Sequence, residues 1–274
     1  MSKKTDSIQQ TFVRLSRKWW LYVVLCLFFF IPSYAARGYD PRQSSALLEA
    51  VLRHPFISAL SPVYLVLKLL PVLLMVLIVV FRNRFRTVFH AYITLLLVAI
   101  ALFQNSASTE RFGFVVLAGN VVLMTIPTLA WLWETISGNG DYSRAAPSLW
   151  KWPFFALAFF AFWFPANSAT AAPDFNPVYL VANESMVTYC MVTPVVLAFL
   201  LLYFPRINIV TFRVSAFIGI IFGAMNMVTW FVLNPSMWWM GVLHFPLLLI
   251  SILCFTLSLA IPTGSIPRSV VQGS

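Results

Sequence analysis

Phe81-Arg82-Asn83-Arg84-Phe85-Arg86 constrains this chain more than any other stretch. Three arginines stand between two long apolar runs, with no acidic residue beside them. A short loop this basic between membrane spans is retained on the cytoplasmic side. With that loop pinned, the other apolar runs can be counted outward from it. They lie at about 19–35, 60–81, 87–104, 112–133, 151–165, 184–204, 214–233 and 238–261. A helix needs about 20 residues to cross the hydrocarbon layer, and all but the short 151–165 run approach that length.

The expectation is an all-α, polytopic helical membrane protein with eight transmembrane helices and both termini cytoplasmic. It divides into a basic N-terminal segment (1–18), a single transmembrane domain (19–262) and a short cytoplasmic tail (263–274). Composition agrees with a membrane class: 61% of residues are hydrophobic and 9% charged, with a mean hydropathy of +0.86. Soluble domains carry about 25% charged residues.

The charge distribution follows the same topology. Thirteen lysines and arginines fall in the segments assigned to the inside: Lys3, Lys4, Arg14, Arg17, Lys18, Arg82, Arg84, Arg86, Arg144, Lys151, Arg206, Arg213 and Arg268. Four fall outside: Arg37, Arg42, Arg53 and Arg111. The formal charge of +10 is therefore spent at the ends of apolar runs and not on one polar face. That reads as orientation in a lipid bilayer and excludes nucleic acid as the partner. Attraction to anionic headgroups reads as a by-product. Cys26, Cys190 and Cys254 lie far apart in apolar runs, and His54, His90 and His244 are scattered. No metal site, haem or other cofactor is expected.

Two patterns suggest internal organisation. Halves 19–133 and 151–262 share a loop layout, and a shift of 123 positions matches Pro71 with Pro194, Phe81 with Phe204 and Phe89 with Phe212. This is the signature of a parallel 4+4 repeat, although a chain with 26 Phe produces chance matches. Pro71, Pro127, Pro194 and Pro246 each sit inside a helix and free the carbonyl four residues earlier, at Leu67, Leu123, Cys190 and Val242. In lipid those carbonyls need other partners. Ser44 to His54 has the spacing of a short amphipathic helix lying on the membrane, and Gly138-Asn139-Gly140-Asp141 is turn chemistry.

Lys68 is the one basic residue within a span, roughly 12 Å below its outer edge at 1.5 Å per residue. Asn120, Glu184, Tyr189, Asn226 and His244 fall at similar depth on other spans, so with Lys68 they define a ligand-binding site toward the outer face. Each also has a plain reading: snorkelling for Lys68, helix–helix hydrogen bonding for Asn120 and Asn226, an N-terminal cap for Glu184, an interfacial anchor for His244. Asn183-Glu184-Ser185 matches a glycosylation sequon.

Three function classes follow, in order. The first is a carrier or channel for a small polar or anionic solute in a plasma (cell inner) membrane. The second is a non-catalytic membrane subunit or assembly factor, working as a homo-oligomer or with a partner subunit. An intramembrane enzyme acting on lipid ranks last, because no catalytic motif is present and the chain leans away from catalysis.

Overall fold

The computed structural model describes residues 3–38, 40–167 and 170–261. The expected tail 263–274, with Arg268, lies outside the described residues.

The chain opens with α1 (Lys3–Leu15), which seats Val13 against the bundle, and α2 (Trp19–Phe28). After the two-residue strand β1 (Tyr34–Ala35) comes α3 (Ser44–Arg53). A 3₁₀ stretch, Phe56–Val63, leads into α4 (Tyr64–Phe81). The 3₁₀ turn Arg82–Phe85 joins it to α5 (Arg86–Ala99), which is extended by a π-helical turn to Gln104. Strands β2 (Ser106–Thr109) and β3 (Gly113–Val116) precede α6 (Ala118–Ser137). Then follow α7 (Trp152–Trp163), α8 (Tyr189–Tyr203), α9 (Ile209–Met227, with a π-helical extension to Leu233) and α10 (Trp238–Ala260).

α8 is the enclosed helix, with buried side chains on all its faces from Met191 to Tyr203. A helix apolar all round belongs in an interior. α9 and α10 pack closest, because Gly219 and Gly223 remove side-chain bulk at the crossing. A Cβ on Gly223 would stand 2.9 Å from Leu248 Cα. α5 folds back along α4, where Tyr92 Oη donates to the Leu67 carbonyl at 2.9 Å. That carbonyl is the one Pro71 leaves without its helical donor, so its need for a partner is met from the neighbouring helix.

The eight-span reading is corrected. Among the described residues, three helical runs are long and apolar enough to cross a membrane: Ser44–Gln104, Ile209–Leu233 and Pro235–Ala260. A fourth is added only if Pro177–Val187 and Tyr189–Tyr203, bent by 97°, count as one broken span. The expected runs 60–81 and 87–104 both fall inside the first of these. α2 and α7 have 10 and 12 residues, and about 15–18 Å of helix does not cover a hydrocarbon core of about 30 Å. α6 has 20 residues but carries Asn120, Thr125, Thr128, Glu134 and Thr135, and it does not qualify. With three spans, or four if the bent pair counts as one, the eight-span basis for placing both termini on one side is gone.

The all-α reading is corrected as well. β1, β3 and β2 form a three-stranded antiparallel sheet in that order, with Tyr34 opposite Val116 and Thr109 opposite Gly113. Residues 113–116, near the start of an expected span, are instead strand. Nor is a 4+4 repeat evident: the first half contains the sheet, and the described residues of the second half hold no strand. α3 does form, and one face of it covers the sheet. Leu47 and Val51 bury against Ala107, Phe112, Val115 and Leu117.

Candidate functional site

The expected outer site does not assemble as one cluster. Lys68 is buried, and its ammonium donates to the Tyr179 carbonyl and to Asn183 Oδ1, with the Phe162 ring 4.7 Å away. It is not ion-paired with Glu184. Asn183 completes the arrangement by donating to the Trp163 carbonyl at 2.8 Å and accepting from the Ser185 amide at 3.2 Å. Its side chain is thus buried and fully used, which removes it as a glycosylation acceptor. Lys68 is a cross-link from α4 to the segment before α8.

Tyr189, Asn226 and His244 do converge, on α8, α9 and α10. Asn226 Nδ2 donates to the Phe222 carbonyl (2.8 Å), its Oδ1 accepts from Trp230 Nε1 (2.9 Å), and the Trp230 ring lies 6.1 Å from that of His244. His244 Nδ1 is 2.6 Å from the Met240 carbonyl one turn back. Tyr189 packs on Phe222 with ring centroids 5.1 Å apart. Its buried hydroxyl makes no hydrogen bond of good geometry among the described residues, with Thr193 the nearest polar neighbour, and borders a cavity of ≈ 20 Å³ shared with Leu97, Trp131, Thr193 and Ser215. That volume holds about one water. Asn120 stands apart on α6, half-buried, with no hydrogen-bond partner among the described residues.

A denser polar cluster lies at the other end, around the basic loop. Glu134, in the last turn of α6, is 2% exposed. Gly138 ends that helix in the left-handed conformation (φ +57°), which glycine adopts without steric cost. The chain can then turn back over Glu134. Glu134 Oε1 accepts from the Gly140 amide at 2.7 Å, and Oε2 accepts from Asn208 Nδ2 at 2.5 Å. Asn208 in turn caps α9 through the Val210 amide (3.0 Å) and accepts from Gln9 Nε2 (3.0 Å), while Gln9 Oε1 accepts from Trp133 Nε1 (2.6 Å). α1, α6 and α9 are therefore joined through two amide side chains.

His90, on α5, faces the same carboxylate. Its Nδ1 is buried without a hydrogen bond, 3.7 Å from Glu134 Oε1, and its Nε2 is 2.8 Å from the Tyr142 hydroxyl. Burial pushes the Glu134 carboxyl up to about 7, against the opposing hydrogen bonds from Asn208, Gly140 and Asn139 and the charge of Arg86. Burial, reinforced by Glu134 and Tyr203, holds the Tyr142 phenol well above its usual value. Burial also acts to raise Asp141, but hydrogen bonds from Asn83 and Ser143 and the charge of Arg206 outweigh it and leave that carboxyl below its ordinary range.

The tautomer of His90 sets the direction of its contact with Tyr142: with the ring proton on Nδ1, Nε2 accepts from the Tyr142 hydroxyl, and with the proton on Nε2 it donates to that hydroxyl.

Two further buried cations, Arg213 and Lys151, bond to helix ends, joined by the less buried Arg17. Arg213 donates to Ser16 Oγ (2.7 Å), Ser258 Oγ (3.2 Å) and the Ser258 carbonyl (2.6 Å), and Arg17 reaches the Leu259 carbonyl (2.8 Å). Both cap the negative C-terminus of α10. Lys151 does the same for α8 through the Leu201 carbonyl at 3.0 Å.

Glu134, Asn208, Tyr142 and Gln9 were not singled out by sequence reading, and His90 was read as one of three scattered histidines. A glutamate following an apolar run looks like a helix end; only the turn at Gly138 folds the chain over it. No group of three His, Cys, Asp or Glu among the described residues could hold a metal. No family model, curated protein or solved structure matches the chain.

Proposed function

We propose that this multi-pass membrane protein acts as a non-catalytic membrane subunit, offering an apolar helical surface to a partner membrane polypeptide in a plasma membrane. The observation that carries the reading is how the polar side chains of the interior are used. Lys68, Asn183, Arg213 and Glu134 each bond to other parts of the same chain. Their chemistry goes into holding helices and loops together, which leaves the surface as the working part. Of the three long apolar runs, the most hydrophobic window, with hydropathy 2.9 in Ser44–Gln104, is the least covered by the chain itself, at 22% buried. On α4, Val66, Leu69, Leu73, Val76 and Val80 present one exposed stripe at helical spacing.

A carrier for a small solute is the second reading. The small cavity beside Tyr189, Thr193 and Ser215, bordered by Pro127, favours it as the closed state of a path between α5, α6, α8 and α9.

A photo-crosslinking residue placed at Leu73 in the native membrane tests the first reading. The expected result is one discrete protein adduct, absent when the probe sits at Leu25, which is buried inside the chain. Lipid adducts alone at Leu73 would count against it.

A further inference from the structure

The exposed arginines of the basic loop are not isolated charges, because the fold draws three distant segments into one surface. Asn83 Nδ2 donates to Asp141 Oδ1 at 2.8 Å, and Asn83 Oδ1 accepts from the Tyr142 amide at 2.6 Å. Arg86 Nη1 donates to the Gly140 carbonyl at 3.2 Å. On the opposite side, the Asp141 amide donates to the Arg206 carbonyl at 3.0 Å. Arg206 Nη1 lies 3.3 Å from Ser143 Oγ and 3.5 Å from Asp141 Oδ2. The 138–144 loop is therefore clamped between the α4–α5 turn and the α8–α9 turn.

This places Arg82 and Arg84, which flank Asn83, beside Arg144 and Arg206. Arg82, Arg84 and Arg144 are exposed and have no acidic partner among the described residues. The acid at the centre, Asp141, is already consumed by Asn83, Ser143 and Arg206. Arg82 also adopts φ +57°, a conformation that costs a non-glycine residue energy and is kept only where surroundings impose it. The rim of the same end carries exposed Phe81, Leu149, Trp150 and Trp152, side chains suited to the headgroup–acyl boundary.

We propose that Arg82, Arg84, Arg144 and Arg206 form a composite site for the phosphate of an anionic phospholipid headgroup. Guanidinium groups recognise phosphate oxygens with paired donors, and the apolar rim seats the acyl chains beside them. This goes beyond general attraction of basic loops to membranes, because the arginines converge through the Asn83–Asp141–Arg206 clamp and not through proximity in sequence.

The test uses the full chain in nanodiscs of mixed phosphatidylcholine and phosphatidylglycerol, with native mass spectrometry of the lipids that stay bound after gentle release. Wild type should retain phosphatidylglycerol in preference, and added salt should weaken that preference. R82A/R84A and R144A/R206A should each reduce it, by about fivefold per arginine. The matched loss of charge at the sheet end, R42A/R111A, should leave it unchanged. R82K/R144K keeps the charge and should hold part of the preference, which separates binding from any failure to fold. Equal loss in R42A/R111A, or a preference in wild type that ignores salt, would overturn the proposal. So would retention of added inorganic phosphate in pure phosphatidylcholine without any preference for phosphatidylglycerol.

Discussion

At the residue scale, Glu134 is the side chain with the clearest consequence. A carboxyl buried to this degree holds its proton to about pH 7, whereas the unfolded chain releases it near 4.5. Between those values the folded state binds more protons, so stability falls as pH rises through the window; the contribution is complete below about 4.5 and lost above about 7. The expected size is roughly 3 kcal/mol across the window. Thermal unfolding of the protein in nanodiscs at stepped pH measures it. Glu134→Gln should flatten the curve, and a variant that kept the full wild-type slope would assign the proton elsewhere.

Several residue-scale features were legible beforehand. Lys68 was recognised as a charge within an apolar run, and the Leu67 carbonyl as one that Pro71 leaves in need of a donor. Their partners were not legible. Tyr179, Asn183 and Tyr92 are 111, 115 and 25 positions from the groups they satisfy, and hydrophobic periodicity carries no signal about such pairings.

At the element scale, the closest crossing is α9 against α10. Gly223→Ala pushes a methyl group into the Leu248 backbone at 2.9 Å, where nothing can rotate away. A loss of about 1–3 kcal/mol is expected, as for overpacking generally. At Gly219 the obstacle is the Ser251 side chain, so Gly219→Ala should be milder and Ser251→Ala should rescue it. A double-mutant cycle by thermal or denaturant unfolding reads both; failure of the rescue would mean that the helices approach elsewhere.

The sheet shows where element-level reading stopped. Gly113–Val116 is short, apolar and one residue from α6, so a hydropathy count joins it to the helix, while Ser106–Thr109 falls in the gap between two apolar runs. The available hints were Gly113, whose φ of +67° suits a hairpin, and the paired valines after it. By contrast, α3 and the turn at Gly138 were readable, because amphipathic spacing and glycine-rich turns act locally.

At the scale of the whole molecule, the overcount of spans has one cause. Counting apolar runs treats every run as a span, yet α2 and α7 are too short and α6 too polar, leaving three crossing-length runs and a fourth bent one. The interior polar groups then take on a different meaning. Lys68, expected from the sequence to face a ligand, bonds to the segment before α8, while Glu134 and Arg213 bond to a loop and to helix ends. What remains free is the surface: the α4 stripe on one flank and the arginine patch at one end.

Native mass spectrometry of the protein gently extracted from its own membrane tests that account most directly. A second polypeptide at fixed stoichiometry, retained in Lys68→Met, is the predicted result, because the Lys68 ammonium is committed to Tyr179 and Asn183 inside the fold and lies away from the α4 stripe. A chain that flies without a partner, carrying a small-molecule mass that disappears in Lys68→Met while the variant stays folded, would contradict it and return the outer site to first place.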